Sequence, residues 1–259
     1  MEPWRTGIVD SRDGNIRIRG YDVTSLMTGR TFTDTIFLLH QSRLPNEGER
    51  HLLDAILTGV ADHGSGAPSC AAARLAASGN RQSLSAAVAA GLLAVGDEHG
   101  GAGSGCMEMI AKGVGRMNAE GLSLAEAARR TVDEARGVGA RLPGFGHRVH
   151  TIDPRTAILF GMAREAGLSG NGIAFMEALE VIVRDTIKPL PINIDGALAA
   201  VLHDLGFAPA FGRLVFIIGR VAGLSAEVSE ELEREKAMRI RIPVTYDGPA
   251  PRDLDDRPR

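Results

Sequence analysis

The sequence has few of the features that mark secreted, membrane-embedded or nucleic-acid-binding proteins. Its 259 residues include only two cysteines, Cys70 and Cys106, which indicates reduced thiols in the cytosol. No apolar stretch approaches the roughly 18 residues needed to cross a bilayer, and the N-terminus MEPWRTGIVD lacks the apolar region of a signal peptide. The formal charge is −3, and no run of Lys and Arg is long enough to follow a phosphate backbone. We therefore expect a cytoplasmic protein that binds neither membranes nor nucleic acid.

Aromatic residues are also scarce, at 4%, whereas Ala and Gly are abundant, a composition that suits close helix packing. The one clear strand signal is GNIRIRGYDV at residues 14–23, which predicts a minimal β-hairpin. After it, apolar residues recur at helical spacing, with a break at Pro45 between two predicted helices. Ser123 with Glu126 predicts a capping box, and Ser225 predicts a later helix start. The chain is thus predicted to be all-α apart from the hairpin.

Four polar, Gly-rich loops separate the predicted helices, and each contains a His or an Asp. They occupy residues 62–69, 96–105, 141–155 and 188–195. In GDEHGGAGSG, His99 precedes glycines that let the backbone approach a ligand and open into a helix N-terminus; the alternative is a flexible surface loop. These glycines mimic part of a dinucleotide-binding fingerprint, but they follow a helical block instead of a strand, so we reject that site.

The last two loops and one apolar run hold further candidates. PGFGHRVHTIDPR presents His147 among ionisable residues that suit anion binding and proton transfer. His147, His150 and Asp153 could alternatively bind a metal, but no other Cys/His cluster completes a familiar site, so we predict none. Asp195, at the start of an apolar helix, is by itself better explained as an N-cap. Arg220 in LVFIIGRVAGL needs an anion, either a structural ion-pair partner or a substrate carboxylate.

Taken in order, these segments resemble the citrate synthase superfamily from about residue 14 to residue 248. The motifs that carry the resemblance are GNIRIRGYDV, FLLHQSRLPNEGE, DHGSGAPSCAAARLAAS, GDEHGGA, GFGHRVHTIDPR and PINIDGALAAVL. The resemblance implies a two-lobed helical fold, with residues 1–102 and 206–259 in the large lobe and 103–205 in the small one. It also implies an enzyme that makes or breaks a carbon–carbon bond beside a coenzyme A (CoA) thioester, with no permanently bound cofactor.

The resemblance gives each candidate residue a role. His99 would hydrogen-bond the thioester oxygen of an enol, Asp195 would move a proton at the acetyl carbon, and His147 would exchange a proton with the carbonyl or hydroxyl oxygen. The residues expected to bind substrate carboxylates are His63, Arg155, Arg220 and Arg241. Those expected to contact CoA are Gly144, Phe145, Gly146 and Arg148. Arg241 would reach across a two-fold axis into the partner's site, so a homodimer is expected.

Local differences favour the citryl-CoA lyase branch of this superfamily. The chain has no counterpart of the N-terminal helical layer of full-length synthases, DHG replaces DHE or HE, INIDG replaces a VDF-like sequence, and the interval from His147 to Asp153 is one residue shorter. Thr151 replaces a basic residue near the CoA phosphates, a place that Arg148 or His150 could fill. We therefore predict cleavage of citryl-CoA, or a related 3-hydroxy-3-carboxyacyl-CoA, to acetyl-CoA and oxaloacetate or another 2-oxo acid. The alternatives are a citrate or 2-methylcitrate synthase and a non-catalytic acyl-CoA-binding dimer.

Overall fold

A computed structural model of the chain describes residues 2–12, 14–146 and 153–253. Within these ranges, three short strands precede eleven helices. The strands are β1 (Val9–Asp10), β2 (Arg17–Ile18) and β3 (Tyr21–Asp22), which form one antiparallel sheet in that order. The helices are α1 (Val23–Gly29), α2 (Phe32–Gln41), α3 (Glu47–Val60), α4 (Pro68–Gly79), α5 (Leu84–Leu93), α6 (Ala102–Glu120), α7 (Leu124–Gly137), α8 (Pro154–Glu165), α9 (Asn171–Thr186), α10 (Ile194–Asp204) and α11 (Phe211–Arg234).

The predicted helical fold with a minimal N-terminal sheet is confirmed, and so is the break at Pro45. Helix α2 ends at Ser42, whose φ of 59° lies in the left-handed region and stops the helix. Helix α3 begins with a capping box, in which Asn46 accepts the backbone N–H of Glu49 and Glu49 accepts that of Asn46. Both ends of the junction are therefore set by local hydrogen bonding.

Of the two helix starts predicted from serine positions, one is confirmed and one is wrong. Ser123 and Glu126 form the expected capping box at the start of α7. Ser225 instead lies inside α11, where its hydroxyl donates to the carbonyl of Ala222 at 2.7 Å. Because a serine hydroxyl can bond back to the preceding turn, a serine within an apolar helix need not mark its start.

One hydrophobic cluster fills most of the core, and α10 belongs to it throughout its length. Every α10 residue from Gly196 to Leu202 is buried, as expected for a helix that is apolar on all faces. This helix packs against α6, α8, α9 and α11, so its first turn is held by several neighbours. A smaller cluster joins α4, α5 and α11. The start of α10 is therefore a well-supported position for a functional side chain.

The long helix α11 packs against α3, α4, α5 and α6. At Gly223 a Cβ atom would lie 2.1 Å from the carbonyl oxygen of Ala61, so only glycine permits this close approach. Val60, the last residue of α3, accepts a hydrogen bond from Arg220 Nε of α11 at 3.0 Å. The close contact therefore fixes the end of α3 beside Arg220.

Three other predictions concern membrane-spanning helices, the state of the cysteines and the division into two lobes. None of the helices in the described ranges is long and apolar enough to span a bilayer. Cys70 and Cys106 are both free thiols and both buried. The division into two lobes, with limits near residues 102 and 206, stays a prediction.

Candidate active site

A cavity of about 160 Å³ lies where α3, α8, α10 and α11 meet the loop that precedes α6. Side chains far apart in the sequence converge on it. Five residues predicted to act on or bind substrate line the cavity: His63, His99, Arg155, Asp195 and Arg220. The remaining lining residues are Val60, Glu98, Gly100, Asn193, Ile194 and Phe216. The fold thus brings most of the predicted site together.

Asp195 is the second residue of α10, and the helix is capped by a different side chain. Asn193 occupies the N-cap and accepts the backbone N–H of Gly196 at 3.1 Å, so the explanation of Asp195 as the N-cap is wrong. Burial raises the pKa of the Asp195 carboxyl above its usual range; the charge of Asp153 acts in the same direction, and Arg155 and Arg220 act against it. Asp195 therefore keeps its proton to a higher pH than an exposed aspartate.

His99 sits in a tight turn immediately before α6. Its backbone N–H donates to the Gly96 carbonyl and its own carbonyl accepts the Gly96 N–H, both at 2.9 Å. The ring nitrogen Nε2 lies 3.3 Å from the backbone nitrogen of Ser69 and 2.9 Å from its Oγ. Since a backbone N–H can only donate, Nε2 is the acceptor and the neutral ring carries its proton on Nδ1. Ser69 therefore fixes both the orientation and the tautomer of His99.

Arg220 is almost completely buried, with 3% of its surface exposed. Its Nε donates to the Val60 carbonyl, its Nη1 donates to Ser69 Oγ at 3.2 Å, and its guanidinium lies 4.6 Å from the centre of the Phe216 ring. Within the described ranges no acidic side chain forms a salt bridge with Arg220, so the explanation as a structural ion pair is wrong. Its positive charge is thus available to an anionic ligand in the cavity.

Arg155, in contrast, has an acidic partner. Its Nε and Nη2 donate to the two carboxylate oxygens of Asp153, at 2.9 and 2.8 Å, and its Nη1 donates to the Gly59 carbonyl at 3.0 Å. Asp153 also accepts the backbone N–H of Ile194 at 3.1 Å. Asp153, one candidate metal ligand, is therefore engaged as a hydrogen-bond acceptor for protein groups.

Three of the residues predicted to contact CoA, Gly144, Phe145 and Gly146, lie in a loop that is tied to the start of α10. Gly144 has a φ of 83°, and a Cβ there would lie 2.7 Å from Cys106 Sγ, so this position requires glycine. The carbonyl of Gly144 accepts the Asn193 N–H at 3.0 Å, and the carbonyl of Gly146 accepts from the Asn193 side chain at 2.8 Å. Phe145 forms an isolated β-bridge with Ile192. Gly146, the residue directly before His147, is thus hydrogen-bonded to Asn193, which lies two residues before Asp195.

Several predicted residues are not part of the observed cavity lining. His147 and Arg148 lie outside the described residues, as do His150 and Thr151. Arg241 is exposed in the segment after α11 and does not line the cavity. The roles predicted for these residues therefore stay predictions.

The sequence reasoning missed three residues of the site: Ser69, Asn193 and Phe216. The preference of Asn for helix N-caps was the signal for Asn193. Phe216 precedes Arg220 by four residues on one helix, a spacing that places the two side chains side by side. Nothing local marks Ser69, because its partners lie 30 and 151 residues away.

Replacing Ser69 with Ala is expected to lower kcat by about 10- to 100-fold. Its hydroxyl accepts from Arg220 and donates to His99, and losing a hydrogen bond to a charged or reacting group costs about 1.5–3 kcal/mol. Ser78→Ala is the matched control, since Ser78 is a buried serine of the same helix whose Oγ has no hydrogen-bond partner within the described ranges. Steady-state kinetics should separate the two variants, and equal activity would remove Ser69 from the site.

A larger cavity of about 730 Å³ lies between α6, α7 and residues 138–143. Arg141 lines it and approaches Glu98, which lines the first cavity, with 3.8 Å between their charged atoms. Lys112 also lines the larger cavity. One side chain from each lining therefore meets the other in an exposed ion pair.

Comparison with known proteins agrees with the helical fold. Residues 45–241 match the family model described as citrate synthase, C-terminal domain. The structure of citryl-CoA lyase from Hydrogenobacter thermophilus is similar over 98% of both chains, with a TM-score of 0.89 and 38% sequence identity. Among curated relatives, the citrate synthase of Haloferax volcanii is 29% identical over 83% of this chain, and a probable ATP-citrate synthase of Caenorhabditis elegans is 30% identical over 77%. The chain spans 54% and 18% of the lengths of these two relatives.

Proposed function

The chain belongs to the citrate synthase family, and from that premise we propose that it cleaves citryl-CoA, or a related 3-hydroxy-3-carboxyacyl-CoA. The products are acetyl-CoA and oxaloacetate or another 2-oxo acid. The observation that carries the proposal is the 38% identity to a citryl-CoA lyase over 98% of both chains.

The cavity suits the acid end of such a substrate. Arg220 presents a buried positive charge whose hydrogen bonds within the described ranges go to uncharged groups, and a guanidinium binds a carboxylate through two parallel hydrogen bonds. Arg155 also lines this cavity and is held in place by Asp153. A cavity of about 160 Å³ takes the acid and the thioester, and the rest of CoA extends outward. The larger cavity, with Lys112 and Arg141 on its wall, is available for that part of the substrate.

The cleavage needs two proton transfers. In our proposal His147 takes the proton of the tertiary hydroxyl, whose oxygen becomes the carbonyl oxygen of the 2-oxo acid as the carbon–carbon bond breaks. The electron pair of that bond passes to the thioester, whose enol oxygen is stabilised by the ring N–H of His99. Asp195 then gives its proton to the methylene carbon, which becomes the acetyl methyl group. To complete the cycle, Asp195 regains a proton and His147 loses one.

The surroundings of Asp195 suit this direction of reaction. A proton donor must carry its proton at the working pH, and burial raises the pKa of Asp195. The donor and His99 lie on the walls of one cavity, so the developing charge on the thioester meets a positioned hydrogen-bond donor as the carbon is protonated. No redox or metal cofactor is required by these steps.

A citrate or 2-methylcitrate synthase is the second candidate. The same groups can run the condensation, and matched relatives such as that of Haloferax volcanii carry the name citrate synthase. The two differ in one step, since a synthase also hydrolyses the thioester. The test is to incubate the protein with acetyl-CoA and oxaloacetate and measure free CoA with a thiol reagent. We expect no stoichiometric CoA release, whereas citryl-CoA should yield oxaloacetate, measured through NADH oxidation by malate dehydrogenase. Rapid stoichiometric release of CoA would assign the synthase activity instead.

A non-catalytic acyl-CoA-binding dimer is the alternative of another class. It predicts that the unmutated protein binds acyl-CoA but cleaves none of a panel of 3-hydroxy-3-carboxyacyl-CoA thioesters.

Our proposal also includes a homodimer in which Arg241 completes the partner's site. A mixture of Arg241→Ala and Asp195→Asn protomers should then recover part of the activity that each variant lacks. The cytoplasmic location expected from the sequence stays a prediction.

A further inference from the structure

We propose that Asp153 is a positioning residue that holds the substrate-binding Arg155 and the first turn of the Asp195 helix in one fixed arrangement. The inference rests on the proposed function, because it concerns how the proton donor of that reaction is placed. Asp153 neither lines the cavity nor touches the reacting atoms, so it would act only through its two partners.

The Asp153 carboxylate divides its hydrogen bonds between two structural elements. It is 1% exposed and caps α8 by accepting the backbone N–H of Arg155 at 3.1 Å. Its Oδ1 also accepts from Arg155 Nε, and its Oδ2 accepts from Arg155 Nη2. The same Oδ2 accepts the backbone N–H of Ile194, the first residue of α10. One carboxylate therefore connects the guanidinium of Arg155 to the residue that precedes Asp195.

This connection has a mechanical consequence. Arg155 and Asp195 both line the catalytic cavity, one presenting a cation to the substrate carboxylate and the other a proton to the substrate carbon. The distance between these two groups must match the substrate, and a misplacement of about 1 Å can cost on the order of 100-fold in rate. Since Asp153 contacts both the Arg155 side chain and the start of α10, it sets that distance.

Asp153 also acts on Asp195 through its charge. Burial tends to raise the pKa of Asp153, but the hydrogen bonds and the charge of Arg155 outweigh burial, so its pKa lies below the usual range and it remains ionised. That negative charge contributes to the raised pKa of Asp195, whereas Arg155 from α8 and Arg220 from α11 act against it.

Other titratable groups surround Asp195 on the neighbouring elements. Cys106 lies on α6, and burial together with the charge of Asp195 raises the pKa of its thiol. Glu180 of α9 accepts the backbone N–H of Ile192, and the cavity walls carry His63, Glu98 and His99. Asp153→Asn leaves these groups in place. It removes the negative charge that counteracts the effect of Arg155 and Arg220 on Asp195. The pKa of Asp195 should then fall.

The test compares Asp153→Asn and Asp153→Glu with the unmutated protein over a range of pH. Because Asp195 must be protonated during cleavage, kcat declines at high pH, and Asp153→Asn should move that decline to lower pH by about one unit. It should also raise KM for citryl-CoA about tenfold, because Arg155 loses its paired acceptor. Asp153→Glu keeps the charge but moves it, so KM should rise while the pH of the decline stays within about 0.3 unit of the unmutated value.

Asp34→Asn is the matched control. Asp34 is also a buried, helix-capping carboxylate near an arginine, with 4% exposure, a hydrogen bond from the Thr31 N–H and Arg50 at 3.9 Å. It lies on α2, outside the cavity lining. Its replacement should cost stability without moving the pH profile or KM, which separates loss of a buried cap from loss of positioning.

A direct titration keeps this inference independent of turnover. The pKa of Asp195 can be measured by carbon-13 NMR of the labelled carboxyl groups, with its signal identified by its absence in Asp195→Asn. A fall of this pKa in Asp153→Asn supports the inference even if citryl-CoA is not the substrate. An unchanged pKa in Asp153→Asn together with an unchanged KM in Asp153→Glu would overturn it. Lack of cleavage by the unmutated protein would overturn only the proposed function.

Discussion

Replacing Asp195 with Asn is expected to lower the rate of citryl-CoA cleavage by about 10²–10⁴-fold, the usual contribution of a positioned general acid. The amide has nearly the same size but has no proton of comparable acidity to give to the methylene carbon. Binding of substrate should change little, because Arg155 and Arg220 remain in place. Steady-state kinetics should thus find a fall in kcat with a KM within a few-fold of the original.

The same substitution should increase stability at neutral pH. Because burial raises the pKa of Asp195, folding disfavours its ionised form, and the protein loses stability as pH rises from about 4, the pKa of an unfolded aspartate, through the raised value. Asparagine does not ionise, so its advantage should be full above that window and should vanish below about pH 4. Urea unfolding at pH 4 and pH 7 measures the difference.

Asp185→Asn provides the control for both effects. Asp185 is an exposed acid on α9, paired only with the neighbouring Arg184 in the described ranges, and its replacement should change neither kcat nor stability by much. Full activity of Asp195→Asn would remove Asp195 from the chemistry. A variant less stable than the original protein at pH 7 would contradict the argument from burial.

The parts of this structure that could be predicted are those with a local signal. Helical spacing and capping residues located α2, α3 and α7 correctly, because a few neighbouring residues decide these features. The prediction of a helix start at Ser225 was wrong because the Ser225 hydroxyl donates a hydrogen bond to the carbonyl of Ala222 in the preceding turn instead of capping a helix. The N-cap of α10 was assigned to Asp195, although Asn193 stood two residues earlier with the same capping ability.

The candidate site was predictable only where its residues belong to recognisable motifs. His99, Asp195 and Arg220 were each ambiguous from local chemistry, and the order of the motifs brought them together. Ser69 has no such signal, since it acts by joining His99 to Arg220 across helices that are remote in sequence. Contacts of this kind depend on tertiary packing, which spacing along one helix does not encode.

The second large effect is expected at Glu231, on the last turn of α11. Its side chain is fully buried and accepts hydrogen bonds from Arg74 Nε and from Arg239 Nε, each at 2.9 Å. Burial tends to raise the pKa of Glu231, but the two arginines outweigh it, so the pKa lies below the usual range. Glu231→Gln removes the buried anion between these two arginines, although Arg74 keeps Glu227 and Arg239 keeps Glu235 as partners. It should therefore lower the free energy of unfolding by about 2 kcal/mol at pH 7.

The pH dependence of this loss has the opposite sign to that at Asp195. A carboxylate with a lowered pKa stabilises the fold above its unfolded pKa of about 4.3 and loses that contribution as pH falls through the lowered value. The deficit of Glu231→Gln should therefore be largest at pH 7 and should shrink below about pH 4. Urea unfolding at both pH values, at one fixed protein concentration, provides the measurement.

Glu134→Gln is the control for Glu231, since Glu134 also contacts basic side chains, Lys112 at 3.2 Å and Arg116 at 2.7 Å, but its own side chain is 42% exposed. An exposed pair contributes about 0–1 kcal/mol, so this variant should remain close to the original stability. Arg239 is two residues from Arg241, and the adjacent Met238 N–H donates to the Ser78 carbonyl. Loss of Glu231 should therefore also loosen the segment that carries Arg241 and raise KM for citryl-CoA. Equal losses of stability in the two glutamine variants would contradict the role given to burial.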